Sequence, residues 1–526
     1  MPLSLLATAD APQKTAWPYF QKLAELLPEP FFHTSNFLLF FAVVLAVYWS
    51  IPRRWQMTRI WVLVAASFHF YAAWSAELAF LVTATTLADY IFGRLMDATE
   101  RVRLRRAIMI TSIGMNLSIL CYFKYRGFFL NELHDLLVTS GRDPGYAKYD
   151  MRALALFVPF GISFYTFEAV SYAVDVYRRK IKAETSLPRF LLFILFLPHL
   201  VSGPIVRAGD FLQQTRRPKR WNWVRVQVGV QLLLMGAFKK LAIADRMAVF
   251  CDPIFHEPDK YNTGAVWMAV LAYSIRIYAD FSGYSDMAVG LAHLLGYKLT
   301  NNFNMPYIAA NVSEFWRRWH ISLSTWLRDY LFIPLGGSRG SNFATCRNLM
   351  ITMTLGGLWH GAAWSFILWG VAHGLLLIIH RHFAAFAGAR PALDAALKTT
   401  IGTGFRIVLT FFCVSLCWVL FQPNLYPDPL KPPRPDLILD GFDRAMAMYS
   451  RLFSLQMGLP LPLHNRSLWY TAAFVLLCHL LVTRGVWQRV YDRLPAPVLG
   501  AGYAVCLCAA MVLAPDSGSS FIYFDF

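Results

Sequence analysis

Between Arg347 and Arg381 the chain reads NLMITMTLGGLWHGAAWSFILWGVAHGLLLIIH, 33 residues (348–380) without Asp, Glu, Lys or Arg. A membrane-crossing helix takes roughly 20 mostly apolar residues, so two full crossings take about 40. The stretch is too apolar for a soluble surface and too short for two crossings. Broken by Gly356-Gly357, it reads as a bent or partly re-entrant hairpin. His360 lies 13 residues past Arg347. At the helical rise of about 1.5 Å per residue this is about 20 Å, well inside a hydrocarbon core roughly 30 Å thick.

The pattern repeats outward from this stretch. Runs free of formal charge cover 30–52, 60–76, 107–123, 190–206, 407–427, 467–483 and 494–515, while 78–93, 153–174, 226–238 and 261–297 are apolar but interrupted or bordered by charge. Glu168, Arg276, Asp280 and Asp286 lie deepest in those interrupted segments. Charge inside a bilayer is costly and faces a protein interior or a watery cavity, which makes these four candidates for function. The fold class that follows is all-α: a polytopic integral membrane protein of about ten to thirteen membrane segments, re-entrant ones included.

Composition agrees. Hydrophobic residues make up 57% of the 526 and charged residues 15%, against about 25% charged in ordinary globular domains. Lys and Arg exceed Asp and Glu by 49 − 31 = 18. In so apolar a chain that excess belongs to cytoplasmic loops and not to a nucleic-acid groove, so no nucleic-acid partner is expected. Arg53, Arg54 and Arg59, five arginines within 94–106, and Arg178, Arg179, Lys180 and Lys182 each mark a cytoplasmic loop, which puts the N-terminus outside. Segment 190–206 has basic residues on both flanks and contains Pro198, Gly203 and Pro204, so it reads as re-entrant. Residues 1–30 lack the basic start of a signal peptide, although 17–27 has the pattern of a short amphipathic helix. They form an N-terminal extension to a single membrane domain over 31–526. The eight cysteines contain no CxxC pair and read as small buried hydrophobes.

Two histidines stand apart from the rest. His320 lies in EFWRRWHISLSTWLRDY (314–330), where helical spacing puts Trp316, His320, Leu323 and Leu327 on one stripe and Arg317, Ser324 and Arg328 on the next. An aromatic, cationic helix of this kind lies along a membrane interface. His360 lies in LWHGAAW (358–364), where a neutral imidazole deep in a bilayer is suited to general-base work. Gly361, Ala362 and Ala363 leave room beside it for a substrate or a neighbouring helix. For both histidines the spacing alone leaves packing and chemistry open. Of the other eleven, His380 and His382 stand as His-Arg-His after an apolar run and read as membrane-interface anchors over metal ligands, and the remaining nine, His373 and His479 among them, show no pattern that chemistry requires. There is no P-loop, no strand-borne GxGxxG and no HExxH, and Gly336 to Gly340 matches GxSxG without a strand before it. No metal and no bound cofactor is expected.

The stretch YADFSGYSDMAVGLAHLLGYKLTNNFNMPYIAANVSEFWRRWHISLSTWLRDYLFIPLGGSRG (278–340) closely resembles the membrane-bound O-acyltransferase family, in its bacterial alginate O-acetylation branch. PFGISFYTFEAVSYAVDVYR from Pro159, FLPHLVSGPIVR from Phe196, GAFKKLAIAD from Gly236, LWHGAAWSFILWG from Leu358 and the terminal FIYFDF from Phe521 extend the resemblance over nearly the whole chain except 1–30 and the loop around 428–465. It implies an O-acyltransferase of the bacterial cytoplasmic (inner) membrane, set among membrane lipid. Such an enzyme takes an acyl group, here acetyl, from a cytoplasmic donor, acetyl-CoA or another acyl thioester carrier. It passes the group outward to an extracytoplasmic acetyltransferase partner that completes O-acylation of an exported polysaccharide.

By the match, His360 is the family's catalytic histidine and His320 its second histidine. On this reading Trp316, Trp319 and Trp359 wall the substrate tunnel, Asp280, Asp286, Asn304 and Glu314 orient the reacting groups, and Arg317, Arg318 and Arg328 meet donor phosphates. Two readings compete: D-alanyl transfer to teichoic acid from a carrier-protein thioester, and a non-catalytic transporter or flippase. The second accounts for the charges at 276–286, but the two halves of the chain show no matching interruptions.

Overall fold

A computed structural model describes Phe32 and residues 34–149, 158–421, 441–461 and 465–514. The N-terminal extension 1–30 and the terminal FIYFDF block lie outside the described residues. Among the described residues every element is helical apart from one isolated bridge between Tyr261 and Leu459. They fall into two compact units, the first within Met1–Val201, Arg207–Trp223 and Leu294–Tyr297 and the second within Ser202–Val206, Val224–His293 and Lys298–Phe526.

The first unit carries α1 (Ser35–Ser50), α2 (Gln56–Ala72), α3 (Ala76–Ala98), α4 (Val102–Leu120), α5 (Arg126–Thr139), α6 (Ile162–Tyr177), α7 (Leu187–Leu195), α8 (Leu197–Leu200) and α9 (Ala208–Thr215). Side-chain caps start α1 and α3: Thr34 accepts from the Phe37 N–H and Ser75 from the Leu78 N–H, each satisfying a donor that the first turn leaves without a partner. The first two apolar runs bend against each other by 112° at Ile51-Pro52. Arg59 holds the bend, donating to the Ile51 and Lys219 carbonyls. The segment read as re-entrant breaks into α7, nine residues, and α8, four, before leaving helix altogether. At about 1.5 Å per residue neither reaches across a 30 Å core. Positive φ at Gly161 lets α6 start against this segment, since a Cβ there would lie 2.1 Å from the Leu200 carbonyl oxygen.

The second unit carries α10 (Trp223–Phe238), α11 (Asp245–His256), α12 (Thr263–Leu294), α13 (Val312–Arg318), α14 (Ile321–Leu327), α15 (Asn342–His360), α16 (Trp364–Gly388), α17 (Pro391–Lys398), α18 (Thr400–Phe421), α19 (Gly441–Phe453), α20 (Asn465–Thr483), α21 (Val486–Tyr491) and α22 (Ala496–Leu513). Seven described helices or helix runs, across both units, are long and apolar enough to cross a membrane, eight if the bent pair of α1 and α2 is one span. They are joined by the short pieces of 190–206, by α15, and by α12, whose 32 residues are continuous although Arg276, Asp280 and Asp286 interrupt its apolar pattern.

Two expectations are corrected. The charge-free window 348–380 folds as a hairpin of two helices whose arms both run beyond the window: α15, of 19 residues, begins at Asn342, before Arg347, and α16, which is long and apolar enough to cross by itself, continues to Gly388, past Arg381. The break falls at 361–363 and not at Gly356-Gly357. These glycines stay helical and let the arms close: a Cβ on Gly357 would lie 2.2 Å from the Phe366 carbonyl oxygen, and one on Gly370 2.3 Å from that of Met353. The run 314–330 is likewise not one amphipathic helix. It breaks after Arg318, and His320 adopts left-handed φ of 41° as the N-cap of α14. Such a conformation costs a non-glycine residue about 1–3 kcal/mol.

Candidate active site

His360 is the last residue of α15, on an unbroken helix from Asn342, so its rise of about 20 Å above Arg347 holds in the folded chain. It is buried, edge-on to Trp359, Trp369 and Phe421 with ring centroids 4.8, 5.1 and 4.8 Å away. The small residues after it serve the neighbouring helix: a Cβ on Gly361 would collide with the Phe366 ring at 2.2 Å.

The turn at 319–320 sends His320 inward. Its side chain is fully buried, edge-on to Phe281 at 4.7 Å and 6.1 Å from Trp359. The expected surface position on an interfacial helix is therefore corrected, because the break rotates the residue off the stripe it shared with Trp316. Asn302 clamps this turn. Its side-chain oxygen accepts from the Ser322 hydroxyl (2.7 Å) and N–H (3.3 Å), its amide donates to Ser285 (3.3 Å), and its carbonyl accepts from the Ile321 N–H (2.9 Å). Ser322 in turn accepts from the Ile205 N–H.

The three tryptophans expected to wall a tunnel all enter one aromatic cluster. Trp359 touches both histidines. Trp316 meets Trp369 at 5.7 Å and His373 at 5.1 Å, and Trp319 packs on Trp418 at 4.8 Å. The cluster also takes in two histidines whose sequence context gave no signal. His373 stands one turn after Trp369 on α16, 4.8 Å from it. His479 on α20 lies 5.0 Å from Tyr278, and its Nδ1 donates to the Val475 carbonyl at 2.8 Å, which fixes Nε2 as the acceptor of a neutral ring. The i, i+4 spacing of Trp369 and His373 was the available signal, but it is equally the spacing of a packed helix face.

The charged candidates have hydrogen-bond or ion-pair partners of their own. Asp280 pairs with Lys240 at 2.9 Å, and Lys240 also pairs with Asp245 at 2.8 Å, all three buried. Asp286 pairs with Lys239 at 2.6 Å, and Arg276 pairs with Asp252. Glu168 lies in the first unit, 3.8 Å from His199. Glu314 accepts from the Ala310 N–H and from Arg318, while Asn311 caps α13 by accepting from the Glu314 N–H. Asn304 is exposed and tied through its backbone to Arg318. Arg317 and Arg328 are exposed, donating to Ser313 and Asp329.

Two buried histidines joined by an indole, one at a hairpin tip and one on a strained turn, suit proton transfer in a water-poor interior. The chain belongs to the membrane-bound O-acyltransferase family, whose model matches residues 153–421 and so contains both histidines. It is accordingly an acyltransferase of the membrane, and the transporter reading is set aside. Among curated proteins it is 39% identical to "Probable alginate O-acetylase AlgI" of Azotobacter vinelandii, over 80% of this chain and 78% of that protein. It is 33% identical to the peptidoglycan O-acetyltransferase of Helicobacter pylori, over 71% and 72%. With the teichoic acid D-alanyltransferase of Bacillus subtilis it shares 30% identity over 50% of this chain and 68% of that protein.

Proposed function

We propose that the chain is the membrane component of a bacterial polysaccharide O-acetylation system. It takes acetyl from a cytoplasmic thioester donor, acetyl-CoA or an acyl carrier, and passes it across the inner membrane toward an extracytoplasmic acetyltransferase that finishes the ester on the exported polymer. Residues 31–526 act as one membrane domain behind the 1–30 extension. The observation that carries the reading is His360, held at the tip of the α15–α16 hairpin and linked through Trp359 to His320. The alginate relatives support acetyl over D-alanyl, since they match far more of this chain than the D-alanyltransferase does.

His360 takes the proton of the acceptor hydroxyl, and the freed oxygen bonds to the thioester carbonyl carbon. The tetrahedral adduct collapses, the carbon–sulfur bond breaks, and the leaving thiolate recovers the proton from His360. His320 steers that proton toward sulfur. The test is complementation of a strain lacking this chain with His360→Ala and His320→Ala, scoring ester on the exported polymer and identifying the acyl group by mass spectrometry. Loss of about 100-fold or more is expected for His360→Ala, in the range of general-base removal. Normal acetylation by well-expressed His360→Ala protein overturns the assignment, and alanyl in place of acetyl overturns the donor class.

A further inference from the structure

His373 is fully buried, and neither ring nitrogen has a hydrogen-bond partner among the described residues. The indole N–H groups of Trp316 and Trp369, the two rings nearest to it, are also buried and without partners among them. The three rings touch one another, with centroids 4.8 Å (Trp369–His373), 5.1 Å (Trp316–His373) and 5.7 Å (Trp316–Trp369) apart, and Trp369 reaches His360 at 5.1 Å. Phe315 and Trp418 close the box around His373 at 6.2 Å each. Buried polar atoms in native proteins are almost always satisfied, and four in one cluster beside a histidine placed for catalysis call for a partner that arrives with the substrate.

The chemistry of the set names that partner. An indole nitrogen only donates, and a neutral imidazole gives one donor and one acceptor, so Trp316, Trp369 and His373 together offer three N–H donors and one acceptor, with no carboxylate among them. A sugar hydroxyl asks for acceptors as well as donors, and a cation asks for acceptors alone. A carbonyl oxygen takes donors only, and takes them more strongly as negative charge grows on it.

We propose that Trp316, Trp369 and His373 form the subsite that holds the acyl carbonyl oxygen beside His360. The inference rests on His360 as the reacting base. When the acceptor oxygen bonds to the carbonyl carbon, the carbonyl π pair moves onto this oxygen. The N–H donors stabilise the resulting oxyanion until the double bond re-forms and the thiolate leaves with the proton from His360. Three neutral donors in an apolar box favour that state without binding the uncharged thioester tightly.

The test uses purified full-length chain and a matched pair of ligands: acetonyl-dethio-CoA, in which a methylene replaces the sulfur so that a ketone stands where the thioester carbonyl does, and isobutyl-dethio-CoA, in which a methyl group replaces that oxygen. Wild type is expected to bind the ketone about tenfold tighter, the effect of roughly one well-placed hydrogen bond. His373→Phe keeps a ring of similar size and removes the polar atoms, and Trp369→Phe removes the indole N–H together with one ring. Each is expected to bring the preference within about threefold of unity and to cut acetyl-CoA turnover tenfold or more. Melting temperature is expected to be unchanged or higher for His373→Phe, because an apolar ring replaces an unsatisfied polar one, and lower for Trp369→Phe, whose smaller ring leaves a space in the core. His360→Ala is expected to keep the ketone preference while losing turnover.

Equal binding of both ligands by wild type, or an undiminished preference in the two Phe variants, overturns the subsite. So does a lower melting temperature in His373→Phe, which would mark a structural hydrogen bond. Turnover retained by His360→Ala overturns the catalytic reading instead and leaves the ligand preference to be judged by itself.

Discussion

Asp280 and His373 are both buried polar side chains in the same compact unit, and they end in opposite conditions. Asp280 shares the Lys240 ammonium with Asp245, and further along α12 Asp286 has Lys239 and Arg276 has Asp252. His373 is set among the rings of Phe315, Trp316, Trp369 and Trp418, and its nitrogens have no hydrogen-bond partner among the described residues. Charge in an apolar interior is so costly that the fold neutralises it on the spot, whereas an unsatisfied neutral ring costs little enough to be kept for a ligand. Along α12 formal charge at depth is paired internally, whereas around His373 neutral polar atoms are left without partners among the described residues.

The comparison breaks most visibly at Lys240. Lys240→Met removes the shared cation from two buried carboxylates and is expected to destabilise the second unit by about 3–5 kcal/mol, the usual effect of breaking a buried pair. Thermal unfolding in detergent checks this, and adding Asp280→Asn is expected to return part of the loss. Acyl transfer per folded molecule stays near wild type. A drop in specific activity well beyond the loss of folded protein would place the ionic cluster inside the reaction and undo the contrast.

Next in size is the hairpin that carries His360. Gly370→Ala puts a methyl 2.3 Å from the Met353 carbonyl oxygen, a backbone atom that cannot rotate away. The arms of α15 and α16 must separate, at about 1–3 kcal/mol. Gly374→Ala meets the Met350 sulfur at 2.9 Å, a flexible side chain that can move, so its effect is expected to be smaller. If activity follows the same order as melting temperature, the hairpin spacing sets the His360 chamber. Equal activities for the two variants would detach the chamber from it.

How much of this the sequence carried differs between the same two regions. Lack of charge over 348–380 gave the hairpin and the height of His360, because apolar length and helical rise are both local quantities. The break was misjudged, since glycines that permit close helix approach look the same in sequence as glycines that end a helix. His320 was legible as a candidate but not in its place: one left-handed residue turns an amphipathic stripe into a buried site, and no period of 3.6 records it. Asn302 was passed over in favour of Asn304, two positions away in a loop whose exposed and buried amides differ only in the fold. Asp280 and Asp286 drew notice because their charges stand out in an apolar run, and their lysines lie 40 and 47 residues away, where spacing gives no hint of pairing.

Asn302 sharpens the neutral side of the comparison. Asn302→Ala leaves the Ser322 hydroxyl and N–H without their acceptor and is expected to lower stability by about 1–3 kcal/mol. It also frees the strained turn to relax His320 outward. The expected signature is a fall in the rate of acyl transfer of about tenfold with little change in apparent donor affinity, since the residue positions His320 and touches no substrate. A proportional rise in KM instead would place this loop at the donor site.

The smallest effect is expected at Glu314, where charge and site lie close together. One carboxylate oxygen accepts from the Ala310 N–H at 3.0 Å and the other from Arg318 at 2.9 Å, with both side chains about a fifth to a quarter exposed (24% and 21%). Gln in this position keeps an oxygen for Ala310 and loses only a half-screened ion pair, for about 0.3–1 kcal/mol. Glu314→Gln should therefore lower the melting temperature slightly and leave acyl transfer within about twofold of wild type. Two residues away on the same short helix, Trp316→Phe removes no charge at all, yet its N–H belongs to the proposed carbonyl subsite and its loss should be felt mainly in turnover. If the two variants exchanged these outcomes, Glu314 would be the polar group that α13 brings to the reaction and Trp316 only its wall.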